Sequence, residues 1–219
     1  MASCCCSPVT WIGTCNDAFY FQVVSADTGV DEDSFGISKR CLNYWVRSKD
    51  NKFLLLNSEQ QFQVQNLTSE LLCQPDCKVK IQIYNNLDMH YVKNEGKNMV
   101  ACRGETDAIK RGREGMAVML YVENEGKKIV VCGGETDNIY PEKMETLPEE
   151  IKGSNHKALF YMTKLSPANT FWFESSMYPS MYLGFEPDGF NPSLNKLVMH
   201  NKAQDEVDES CQLILLKNI

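Results

Sequence analysis

Apolar and polar residues alternate in short runs along most of this chain, the period of two that a half-buried strand requires. The run Val79-Lys80-Ile81-Gln82-Ile83-Tyr84 puts Val79, Ile81 and Ile83 on one face. Leu42–Val46, Phe53–Leu56 and Phe62–Gln65 read as strands, and Ser48-Lys49-Asp50-Asn51 reads as the turn between the first two. Val118–Val122, Ile129–Val131, Leu159–Met162, Lys196–Met199 and Gln212–Leu216 continue the series. In the stretch Phe171–Gly184, two bulky alternating runs flank Glu174-Ser175-Ser176, which predicts a strand, a polar bend and a strand. Phe173, Met181 and Leu183 are the expected interior residues there. The one helical signal is Pro148-Glu149-Glu150-Ile151-Lys152, with proline at its start and Gly153 after it. About a dozen short strands without a long helical period point to a closed all-β architecture.

One segment occurs twice. Met89-His90-Tyr91-Val92-Lys93-Asn94-Glu95-Gly96-Lys97, continued by Cys102 and Gly104-Glu105-Thr106-Asp107, returns 30 residues later, from Met119 to Asp137. Each copy reads as a hairpin whose Asn-Glu-Gly-Lys turn uses glycine for positive φ. Two copies are too few for a solenoid, so one hairpin is duplicated inside a single domain.

Charge divides the chain. Residues 1–33 hold five acidic residues (Asp17, Asp27, Asp31, Glu32, Asp33) and no Lys or Arg, so they carry −5 of the net −7. Phe19–Val24 is rich in strand formers, and residues 25–33 have the composition of an exposed linker. The segment has the look of a detachable leader. The negative balance disfavours nucleic acid and anionic membranes as partners. No run of 18 apolar residues exists to span a membrane, and residues 1–15 lack the pattern of a signal peptide. The expectation is a chain made in the cytosol. Its ten cysteines, among them the adjacent Cys4, Cys5 and Cys6, are then expected as free thiols.

Candidate chemistry is sparse. His90, His156 and His200 lie in no catalytic signature. Cys73 and Cys77 have a metal-like spacing, but zinc needs four ligands and no second pair follows. The glycines at 104, 133 and 134 precede no Gly-Lys-Ser/Thr and form no phosphate loop. Asn66-Leu67-Thr68 is a glycosylation sequon that a cytosolic chain leaves bare. These residues favour a binding or signalling module over an enzyme, with no cofactor and no metal.

Several landmarks together carry a resemblance. Phe173-Glu174-Ser175-Ser176-x-Tyr178, the junction Asp33-Ser34-Phe35-Gly36, Phe19-Tyr20-Phe21, Gly115-Met116-Ala117-Val118 and Leu147–Lys152 occur in the order found in one family. The chain resembles the interleukin-1 family of cytokines, and within it the interleukin-18 branch. Ser34 departs from the aromatic residue usual after the cut, and Pro179 follows the Phe-Glu-Ser-Ser motif. The family joins the strand matching Val79–Tyr84 to Gly-Met-Ala-Val by a short loop, so residues 86–113 read as an inserted copy of the hairpin.

The resemblance implies a twelve-strand β-trefoil over residues 34–219, preceded by a propeptide over residues 1–33. It implies an inactive cytosolic precursor, cut by an inflammatory caspase between Asp33 and Ser34 and released without a signal peptide. It implies a monomer that binds interleukin-18-type receptor chains with immunoglobulin domains, and a soluble binding protein as a further partner. Arg47 and Asp50 match the receptor-binding first hairpin, with Arg40 upstream as an additional contact. The apolar run Phe19–Val24 is expected to add a strand to the trefoil and mask part of its receptor face. Asp205-Glu206-Val207-Asp208 has the form of an executioner-caspase site, so cleavage after Asp208 is a candidate inactivating cut. A receptor antagonist, a non-cytokine trefoil and a thiol enzyme stand as alternatives.

Overall fold

The alternating runs do fold as strands. The computed structural model describes residues 9–15, 18–23, 34–86, 89–94, 97–103, 115–165, 169–191, 193–203 and 206–217. Cys4–Cys6, residues 24–33 with Asp33, and Asp205 lie outside the described residues. The strands in chain order are β1 Val9–Cys15, β2 Ala18–Val23, β3 Ser34–Arg47, β4 Phe53–Leu56, β5 Phe62–Gln65, β6 Val79–Asn86, β7 Met89–Asn94, β8 Lys97–Arg103, β9 Met116–Asn124, β10 Lys127–Gly133, β11 Ile139–Met144, β12 Glu150–Lys152, β13 Phe160–Leu165, β14 Thr170–Ser175, β15 Met181–Pro187, β16 Asn195–Asn201 and β17 Leu213–Lys217. A single helical turn, Ser69–Leu72, begins at Thr68, whose hydroxyl accepts the Leu71 N–H. That capping role accounts for the threonine of the sequon.

The chain divides into two compact units. The larger comprises Ile37–Asn85, Glu114–Glu149 and Asn155–Ile219. In it six strands close a ring: β3 pairs with β6, β6 with β9, β9 with β13, β13 with β14, β14 with β17, and β17 with β3. Between successive pairs of ring strands the chain makes the hairpins β4–β5, β10–β11 and β15–β16. The same four-strand plan is thus run three times, which is the twelve-strand plan of a β-trefoil. Closing the ring removes the free edges an open sheet would present.

Alternate positions of these strands meet inside. Val46, Val79, Ile81, Ile83, Val118, Leu120, Val122, Phe160, Phe173, Leu213 and Leu215 come from the ring, and the three hairpins add residues such as Leu54, Ile129 and Leu183. Phe173 is wholly buried, with Met181 and Phe171 packed against the cluster. The expected bend is built from the motif itself. Ser175 Oγ accepts from Tyr178 N, Glu174 Oε1 accepts from Ser180 N, and Ser176 Oγ accepts from His156 N while donating to His156 O.

The helix expected over Pro148–Lys152 is absent. Glu150–Lys152 is β12, antiparallel to Ser34-Phe35-Gly36. Five residues give at most one helical turn for the full nucleation cost. As a strand, the same residues bury Ile151 and leave Glu150 and Lys152 in solvent.

The smaller unit comprises Met1–Gly36, Asn86–Arg113 and Glu150–Ser154. Besides the β12 pairing it contains a four-stranded sheet of order β1-β2-β8-β7. The Phe19–Val24 run therefore does not extend the trefoil as expected. Its described residues, Phe19–Val23, lie in β2, whose partners are β1 and, in parallel, β8 of the inserted hairpin. The two copies of the repeat share one pairing register. Asn94 faces Lys97 and Tyr91 faces Val100, and Asn124 faces Lys127 and Tyr121 faces Val130. In the second copy the turn residues Glu125 and Gly126 have φ of 50° and 76°, which accounts for the glycine.

Candidate functional site

Three places on the chain carry the residues singled out by the sequence. The first is the β3–β4 hairpin. Its turn is knit by buried Ser48, whose backbone N–H donates to Lys52 O at 2.9 Å and whose hydroxyl accepts from Lys52 N at 3.1 Å. The Ser48 hydroxyl donates to Asp50, and Lys52 Nζ lies 3.3 Å from the same carboxylate and 2.7 Å from Asn195 of β16. The Ser48 bond, helped by Lys52, holds the exposed Asp50 carboxyl below its ordinary range. Arg47 is half-buried and donates from Nη1 to Asn51 Oδ1 at 2.9 Å, while its Nε has no partner. Asn51 sits at φ 65°, in the left-handed region asparagine tolerates. Arg47 and Asp50 therefore share one rigid turn. Arg40 does not join them: it is exposed seven residues back on β3, roughly 20 Å of strand away and on the opposite parity.

The second place is the junction at Asp33. Ser34 begins β3 and pairs with Lys152, and Phe35, only 2% exposed, pairs with Ile151. Residues on the C-terminal side of the expected cut are thus held in a strand.

The third is the segment between β16 and β17. Asp208 caps a short 310 turn, Glu209–Cys211, and accepts from Ser210 N at 2.9 Å, from Ser210 Oγ at 2.6 Å and from Cys211 Sγ at 3.6 Å. The Ser210 hydroxyl bond is the main reason its carboxyl is held below the ordinary range. Lys202, 2% exposed, fixes the preceding residues. Its ammonium donates to Ala203 O at 3.3 Å and Glu206 O at 3.2 Å. The same ammonium lies 3.7 Å from the centre of the Trp172 ring and 4.2 Å from that of Tyr182. The two rings meet edge to face at 6.0 Å. A buried ammonium needs such partners, because water no longer solvates it. Lys49 at the tip of the first hairpin reaches Glu209 at 2.7 Å, an exposed pair of little energetic weight.

Three buried thiols are held protonated. Burial pushes Cys77 up to about 11 and Cys132 and Cys211 up to about 12. Exposed Cys41 lies 3.6 Å from Tyr121 Oη, and exposed Cys73 donates to Ser69 O at 3.5 Å. Among the described residues no His, Cys, Asp and Glu side chains group as a metal site. A polar cleft of about 340 Å³ opens between Asn57, Gln61, Asn138, Asp188 and Lys196, and the Glu186 carboxylate, 2.6 Å from the Lys196 ammonium, holds that group above its ordinary range.

No protein-family model and no curated protein matches the sequence. Solved structures match the fold. Two variants of Gallus interleukin-1 beta align with TM-scores of 0.52 and 0.50, at 15% and 14% identity, each over 83% of this chain and 99% of theirs. The fold is an interleukin-1-like β-trefoil. On this trefoil, Arg47 and Asp50 lie at the turn leaving the first ring strand, and Asp208 lies in the connection to the last. Ser34 opens the first ring strand itself. The Lys202–Trp172–Tyr182 cluster was not legible in the sequence. Trp172 and Tyr182 sit opposite in parity to the core residues Phe173 and Leu183, but nothing in their spacing points to a lysine twenty residues on.

Proposed function

We propose that the protein is a precursor cytokine of the interleukin-18 type. It is cut after Asp33 by an inflammatory caspase, exported without a signal peptide, and recognised by immunoglobulin-domain receptors of the interleukin-1/interleukin-18 class. One observation carries this reading: all twelve trefoil strands begin at or after Ser34, so a cut at Asp33 separates the acidic leader without removing a core strand. The interleukin-1-like fold supports it. Water adds across the Asp33–Ser34 amide, leaving a carboxylate on Asp33 and an ammonium on Ser34. The pairing of Ser34–Gly36 with β12 must open for a protease to bind the bond in extended form, so processing is expected to be slower than on a free peptide.

Once the leader departs, the loss of its five negative charges raises the rate of encounter with an acidic receptor face. Arg47 and Asp50, fixed on one turn, form the docking point, and the chain acts as a ligand that catalyses no step itself. The test is digestion of the full chain and of Asp33→Ala with an inflammatory caspase, followed by N-terminal identification and receptor binding by both forms. A new N-terminus at Ser34 in the parent only, with stronger binding, supports the reading. The same product from Asp33→Ala refutes the processing step, and undiminished receptor binding by Arg47→Glu refutes the docking point. The insertion between β6 and β9 favours a second reading, a receptor antagonist. A receptor-reporter assay on residues 34–219 separates agonist from blocker.

A further inference from the structure

The duplicated hairpin has a free side that its parent copy lacks. In the trefoil copy, β10 is flanked by β9 and β11, and β9 also pairs with β6 and β13. The inserted copy, β7–β8, has the same register but, among the described residues, no following strand of its own kind beside β8. In the position that β11 takes beside β10, β8 has the leader strand β2. The pairing is parallel and runs through five consecutive residues, from Phe19 opposite Met99 to Val23 opposite Arg103. β1 then covers the far edge of β2.

An isolated two-stranded hairpin is marginal in water, and three or more strands with an apolar face are needed for stability. The leader supplies one hairpin and the insertion the other. In a parallel pair, residues in register share a row, so Phe19, Phe21 and Val23 share one with Met99, Ala101 and Arg103. Val9 and Trp11 of β1 and His90 and Val92 of β7 belong to that row by register. On β2 that row is apolar in sequence, and on the inserted hairpin it also carries His90, Asn94, Lys97 and Arg103. The leader and the insertion also fall together in one compact unit, although residues 34–85 separate them along the chain.

We propose that the inserted hairpin is a holdfast for the leader. After the chain is cut next to Asp33, β1–β2 stays bound to β8 as a separate polypeptide, and the mature trefoil carries its own leader until the four-stranded sheet opens. The occupant of the β8 edge is residues 9–23 of this chain. The proposal takes from the functional reading only the place of the cut.

The test uses the full chain with residues 26–32 replaced by the recognition sequence of a site-specific viral protease, so that no caspase is involved. After cutting, the protein is passed over a native sizing column and the trefoil peak is analysed by mass spectrometry. Co-elution of the leader fragment, and its release when β8 is broken by Ala101→Pro, are the expected results. Deletion of residues 86–113 is a second variant with the same expected release, its folding checked by circular dichroism. A leader that elutes apart from the folded parent overturns the proposal, as does one retained by both variants. Failure of a caspase to cut at Asp33 would count against the functional reading and leave this result standing.

Discussion

Replacing Lys202 by methionine tests whether the segment 203–208 is held shut from inside. Methionine keeps the length of the side chain and its packing on Trp172 and Tyr182 but removes the ammonium. Two carbonyl oxygens, those of Ala203 and Glu206, lose a charged donor. Hydrogen bonds to charged groups are worth about 1.5–3 kcal/mol each, and a desolvated cation–π contact about 2 kcal/mol. Against this stands the cost of keeping an ammonium out of water, which is several kcal/mol. Ala203 and Glu206 are themselves exposed, so water replaces part of the lost bonding. A net local loss of about 2 kcal/mol follows, which raises the opened population of the segment roughly thirtyfold. Glu206 and Asp208 would then be free to extend into a protease.

The assay is digestion with an executioner-class caspase, following the fragment that begins at Glu209. Where opening is fast relative to cleavage, the rate tracks the opened population. The parent is expected to resist and Lys202→Met to be cut about thirty times faster after Asp208. Urea unfolding of both proteins separates local release from global destabilisation. Equal cleavage rates, or an increase accounted for wholly by global unfolding, would refute the clamp.

Phe173→Ala removes a wholly buried ring from the trefoil interior and is expected to cost about 3–5 kcal/mol in urea unfolding. Gly184→Ala would drive a Cβ into the His200 ring and to 3.1 Å from Ser210 O, so a loss of about 1–3 kcal/mol is expected, measured as a lowered Tm. His156 gives a pH signature. Burial first, then the charge of Lys157, lowers its pKa from the ordinary 6.5, with Glu142 opposing, and its Nδ1 accepts the Ala158 N–H. The neutral ring is therefore the folded form: its contribution is complete above pH 6.5 and is lost as pH falls from there through the lowered value. Unfolding midpoints taken from pH 7.5 to 5 (about two and a half units around the ordinary histidine range) should fall more for the parent than for His156→Gln, and identical slopes would contradict the assignment.

The strands were legible because their alternation is local. Val79, Ile81 and Ile83 declare one buried face whatever surrounds them, and β4 and β5 fall at Phe53–Leu56 and Phe62–Gln65 as the pattern predicts. Phe173 and Leu183 were readable as interior for the same reason. The duplicated hairpin was equally plain, since its turn chemistry repeats residue for residue. What the sequence could not supply was the partner of each edge. Ring closure brings β17 against β3 and β14, a pairing of chain ends that no local pattern encodes. β12 was misread as helix because three residues are too few to show a period, and its pairing with Ser34–Gly36 decided the matter. The leader strand β2 carries a strand's composition on any reading, but its place beside β8 depends on an edge that exists only once the inserted hairpin has formed. Lys202 looked like any surface lysine until two aromatic rings and two carbonyls enclosed it. Periodicity along one strand fixes which residues go inward. Which strands then meet is set by long-range packing, where the choice among edges is made by the whole chain at once.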